Sequence, residues 1–97
     1  MSVRFLDAAH EELVEAHRFY DEAGAGVAHA FVVEVADAVS RIARYPNAWQ
    51  ILSGHWRRCL LRRFPYGLIY VQADHELLVV AVAHLHRRPN YWCDRTL

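Results

Sequence analysis

A chain of 97 residues is long enough for one domain with its own core. Its formal net charge is zero, yet residues 1–50 hold four arginines against eight acids and residues 51–97 seven against three, so the C-terminal half is basic. The two cysteines, Cys59 and Cys93, lack CxxC or CxxH spacing and no apolar run nears the roughly 18 residues of a membrane span, which argues against a disulfide framework, a zinc site or a membrane helix and leads us to expect a cytoplasmic protein.

In chain order, residues 2–6 alternate apolar and polar and predict a short strand. Asp7 is placed to cap a helix reaching about residue 22. Ala9, Leu13, Ala16 and Tyr20 recur at helical spacing along it, with Glu11, Glu12, Glu15 and Arg18 assigned to a solvated acidic face. Residues 23–26, with two glycines, break this helix, and a second is expected over residues 27–45. Its stripe is Val27, Phe31, Val35, Ala38, Ile42 and Tyr45, with Glu34, Asp37, Arg41 and Arg44 elsewhere, and Pro46 ends it. So short a connection makes the two helices an antiparallel hairpin.

Residues 46–55 read as irregular, with Trp49, Ile51 and Leu52 tucked towards the core. Three apolar runs follow, 59–64, 66–71 and 77–83, separated by Pro65 and by the polar stretch 72–76, which predicts strand, strand, turn, strand. Pro65 cannot donate to a ladder and marks an edge or a bend. The last run has no polar alternation and calls for cover on both faces. Residues 87–97 form a polar, aromatic tail. The expected architecture is α+β, in the order β-α-α-β-β-β, an antiparallel sheet with the helical hairpin on one face.

All 11 cations are arginine, which favours bidentate contacts to phosphate or carboxylate but cannot serve as a base. Arg57, Arg58, Arg62 and Arg63, then Arg87, Arg88, Tyr91 and Trp92, form a basic and aromatic constellation. Such a set suits phosphate contacts with base stacking, or an acidic protein partner. Any general base beside these arginines would be His84 or His86. The remaining histidines (His10, His17, His29, His55, His75) have no metal-ligand spacing, and no phosphate loop, nucleophile elbow or carboxylate pair is visible, so neither metal nor cofactor is expected.

The residues also carry a resemblance. The segment A-x-x-EL-x-EA-x-x-FY from Ala9 to Tyr20, the run holding Arg57-Arg58, Phe64-Pro65-Tyr66 and Tyr70, and VVAVAH-x-x-R-x-P-x-YW-x-x-R from Val79 to Arg95 together resemble the RelE/ParE superfamily of toxins. The likeness implies the toxin of a type II toxin-antitoxin module of the plasmid-stabilisation kind, held inactive by a cognate antitoxin. The chain is more similar to the ParE branch, whose members inhibit DNA gyrase without a catalytic site, since the lysines of the RelE nucleases are missing. On that reading the arginines and the tail from Arg87 onward are a docking surface. The RelE alternative implies ribosome-dependent cleavage of mRNA. Arg57, Arg62 or Arg87 would then stabilise the phosphate, His84 or His86 would move protons, and Tyr91 would assist. A degenerate, non-toxic member that still binds antitoxin is a third option. The antitoxin is expected to lay an acidic, amphipathic segment over the hairpin and sheet edge, its carboxylates on the arginines of residues 57–63.

Overall fold

The computed structural model describes residues 1–95. Ser2–Phe5 (β1) is followed by two helices, Asp7–Ala23 (α1) and Ala25–Arg44 (α2). Four strands follow: Gln50–Ser53 (β2), Trp56–Leu60 (β3), Tyr66–Ala73 (β4) and Glu76–His84 (β5). They form one five-stranded sheet in the order β1-β5-β4-β3-β2. The α+β class and the strand-helix-helix-strand order match the expectation. Two details do not. The sheet is mixed, because β1 runs parallel to β5, which the long connection of two helices and three strands between them permits. The stretch read as irregular supplies β2, which pairs antiparallel with β3 through a bulge between Ile51 and Ser53. Four residues with Ile51 and Leu52 at their centre are too short a run for alternation to reveal.

Asp7 lies inside the first turn of α1; the cap position is Leu6, with no side-chain cap bond. The acid still suits the positive end of the helix. Between the helices Gly24 has φ +145° and ψ 144°, a backbone state closed to side chains, and its N–H closes the end of α1 on Tyr20 and Asp21. The hairpin therefore turns on a single residue.

The sheet is covered on both faces. On the helical side Ala9 and Ala16 of α1, and Phe31, Val35, Ala38 and Ile42 of α2, pack on Cys59, Leu68, Tyr70, Leu77, Val79 and Val82. On the other side Ile69, Val71, Leu78, Val80, Ala81 and Ala83 lie beneath Trp92. A bulge explains the unbroken apolar run of β5. Tyr70 faces Val79 and Ile69 faces Ala81, so Val80 is the extra residue and shares a face with Ala81. Cys59 is buried, and burial pushes its thiol up, which leaves it inert.

Candidate docking cleft

Two acids, one buried and one half-buried, arrange the arginines. Glu34 of α2, only 7% exposed, accepts from the backbone N–H of Arg62 (2.8 Å) and Arg63 (3.0 Å) and from Nε of Arg63 (2.7 Å). Burial alone would raise this carboxyl, but the bonds from Arg63 and Arg62 win and hold it below the ordinary glutamate value. Strand β3 accordingly stops at Leu60, and the bend ahead of Pro65 is moulded around the acid. Arg62 and Arg63 are thus turn residues and not strand residues. The sequence signal was present: Glu34 stands three residues after Phe31 and four before Ala38, inside the buried stripe.

Glu12 of α1 is the second. The sequence predicts a solvated face for it, yet it accepts from the N–H of Val82 (3.0 Å), the hydroxyl of Tyr91 (2.7 Å) and both terminal nitrogens of Arg95 (2.8 and 3.0 Å). Arg95 also donates to the carbonyl of Val80 at 2.7 Å. The register shows why. Strand β1 ends opposite Val79, and β5 runs on to His84 with its β1-side edge uncovered. The Glu12 and Arg95 side chains take the ladder positions that a longer β1 would have filled. Here too the position, three residues after Ala9 and four before Ala16, lies in the buried stripe.

Around this anchor the C-terminal segment folds back over the sheet face opposite the helices. Tyr91 lies between two cations, with the Arg87 guanidinium carbon 4.0 Å and that of Arg95 5.1 Å from its ring centroid. Burial and the Glu12 carboxylate push the Tyr91 phenol strongly up, against a smaller pull from the arginines. Trp92, read as a docking residue, is 3% exposed and packs edge-on against Trp56, so it supports the surface from within.

A cleft of about 210 Å³ opens between this segment and the sheet, and Arg58, His84, Arg87, Arg88, Tyr91 and Trp92 all contribute to its walls. Arg58 crosses Gly67, where a Cβ would lie 2.9 Å from its Cγ, and donates to Gln50 at 2.8 Å. Its Nε is buried without a partner among the described residues. His84 uses Nδ1 to accept the backbone N–H of His86 at 3.1 Å, so its ring proton is on Nε2.

The other predicted site residues are elsewhere. Strand alternation puts Arg57 on the helical face, where it donates to the carbonyls of Asn47 (3.1 Å) and Trp49 (2.8 Å) and braces the turn after α2. Arg62 is exposed at the Glu34 bend, and His86 is exposed on the turn after β5. Six candidate nuclease residues therefore do not converge: His84, Arg87 and Tyr91 share the cleft, while Arg57, Arg62 and His86 do not line it. Among the described residues, no group of three or more His, Cys, Asp or Glu could hold a metal ion, and no helix is long and apolar enough to cross a membrane.

On the outer side of the hairpin, Leu13, Val14 and His17 of α1 and Val32 and Val35 of α2 line an apolar groove of about 240 Å³. Val14 and Val32 of this lining, and Val33 next to Val32 in sequence, are each more than 40% exposed, exposed apolar surface of the kind that marks a protein contact.

Comparison with known proteins agrees with the fold. The solved structure described as the chromosomal ParDE TA system from P. aeruginosa shares the fold, with a TM-score of 0.63 over 87% of this chain and 95% of that one at 14% identity. No protein of curated function matches the sequence at a significant level. The model of the family described as the ParE toxin of the type II toxin-antitoxin system parDE matches residues 3–90. Covering nearly the whole chain, that match places the protein in the ParE toxin family, as the toxin of a type II toxin-antitoxin module whose partner is an antitoxin.

Proposed function

We propose that this toxin acts on DNA gyrase, as a docking inhibitor without chemistry of its own. The observation that carries the reading is that the proton acceptors beside the cleft arginines, Glu12 and Nδ1 of His84, are already occupied. The Tyr91 hydroxyl is given to Glu12, Glu12 is shared among Val82, Tyr91 and Arg95, and Nδ1 of His84 is taken by the His86 amide. What the cleft offers is cationic and aromatic, suited to holding an anionic group and not to moving a proton from it.

The test is the purified toxin in two assays, gyrase supercoiling with trapping of cleaved DNA, and translation in vitro with mRNA mapping. Gyrase inhibition is expected, and the double variant His84→Ala, His86→Ala should retain it. Cleaved mRNA that disappears in the double variant would establish the nuclease alternative instead.

For the antitoxin, the apolar groove between α1 and α2 supports docking of an amphipathic segment on the hairpin. Of the arginines expected to meet its carboxylates, Arg57 and Arg63 already have internal partners. Arg62, exposed beside Glu34, is the better anchor for an antitoxin acid.

A further inference from the structure

We propose that Glu12 is the positioning residue of the docking cleft, although it sits on the helix hairpin and lines no part of the cleft itself. This rests on the reading of the cleft as the toxin's working surface, whatever the target. The geometry gives one carboxylate three tasks. It closes the β5 ladder at Val82, it pairs with Arg95, and it receives the Tyr91 hydroxyl. The second and third tie the C-terminal segment down at two points, four residues apart. Tyr91, so fixed, presents its ring to Arg87 at 4.0 Å, and Arg87 forms the cleft wall next to Arg88 and His84.

The chain of contacts runs from α1 to the cleft: Glu12, then Tyr91, then Arg87. Each link is short and the first is half-buried, where a charge-assisted bond is worth more than at the surface. A long guanidinium side chain on an exposed turn otherwise samples many rotamers, and stacking on a ring that cannot move removes that freedom before the partner arrives. Residues 87–95 are therefore a pre-organised arm and not a free tail. Its bonds do not involve the apolar groove that supports antitoxin docking: Leu13 and Val14, next to Glu12 in sequence, line that groove, while the Glu12 carboxylate accepts from Val82 of β5.

The experiment compares the full chain with Glu12→Gln, which keeps an acceptor for Val82 but loses the charge for Arg95, and with Tyr91→Phe and Arg95→Gln, which leave the Glu12–Val82 bond intact. Three readouts are taken. They are hydrogen exchange of the amides of residues 91–95, the NMR resonance of the Arg87 Nε–H beside the Tyr91 ring, and growth arrest on induction set against antitoxin affinity. We expect Glu12→Gln to speed exchange in the arm, shift the Arg87 resonance towards its random-coil position, and weaken growth arrest by about tenfold or more, while antitoxin affinity changes by less than about twofold, as loss of pre-organisation alone predicts. Arg95→Gln should reproduce the exchange effect.

Unchanged exchange and an unmoved Arg87 resonance would overturn the proposal. So would a loosened arm with full toxicity, or toxicity and antitoxin affinity falling together, which is the result of a merely structural role. The exchange and resonance readouts need no target, and growth arrest names none, so a failed gyrase assay bears on the target and not on this proposal.

Discussion

Replacing Glu34 tests how the fold holds the bend that separates β3 from β4. In Glu34→Ala the backbone N–H groups of Arg62 and Arg63 and the Nε of Arg63 all lose their acceptor. Hydrogen bonds to a charged group contribute about 1.5–3 kcal/mol each. The Arg63 side chain is 74% exposed, so its ion pair is discounted to about 0–1 kcal/mol. Both residues reach solvent, which lets water recover part of the loss and favours the low end for the two amides. The expected destabilisation is about 3 kcal/mol, on the order of 12–24 °C in Tm for a chain of this size. Urea unfolding followed by tryptophan fluorescence measures it, with Arg63→Ala as the control that should lose less than about 1 kcal/mol. The pH dependence follows from the direction of the shift. Because the folded carboxyl lies below the ordinary value of 4.5, its stabilisation is complete above that pH and is lost as pH falls through the lower folded value. Glu34→Gln should flatten that acid limb. A Glu34→Ala protein within about 0.5 kcal/mol of the parent, the usual range for a surface change, would refute the assignment of Glu34 as the organiser of the bend.

The Tyr70 hydroxyl donates to the carbonyl of Pro46 at 2.6 Å, and burial pushes its phenol up to about 12. Its contribution is therefore whole below the ordinary value of 10 and lost as pH rises through about 12. Tyr70→Phe should cost about 1 kcal/mol and remove this late step from a spectroscopic tyrosinate titration. At Gly67 an added methyl meets Arg58 Cγ at 2.9 Å and Cδ at 3.0 Å. Gly67→Ala should cost about 1–3 kcal/mol by calorimetry and move the Arg58 guanidinium, an unchanged Tm counting against the close approach. Val32→Glu puts a charge into the apolar groove of the hairpin and should weaken antitoxin affinity, by titration calorimetry, by at least about tenfold, or ~1.4 kcal/mol.

The sequence by itself determined both helices, four of the five strands, the order of those elements and the family. Helical stripes such as Phe31, Val35, Ala38 and Ile42, the glycine break at Gly24, and the apolar run of β5 are local patterns, set by side chains on neighbouring turns or alternate faces. It also placed Arg87, Tyr91 and the cleft histidine His84 together, because they lie within eight residues of one another. What it could not determine were the partners of single polar groups. Glu12 meets Arg95 across 83 positions and Glu34 meets Arg63 across 29. Spacing can mark a glutamate inside an apolar stripe as buried, but its partners exist only once a ladder ends beside it or a bend needs its amides capped. The arginine pairs show the same division. Alternation predicts that Arg57 and Arg58 face opposite ways, but only the packed structure decides that Arg57 is consumed by the carbonyls of Asn47 and Trp49 while Arg58 looks into the cleft. Periodicity fixes a face; the unmet hydrogen bonds at the ends of strands and turns, which exist only once the chain is folded, decide which charges are spent inside and which remain for a partner.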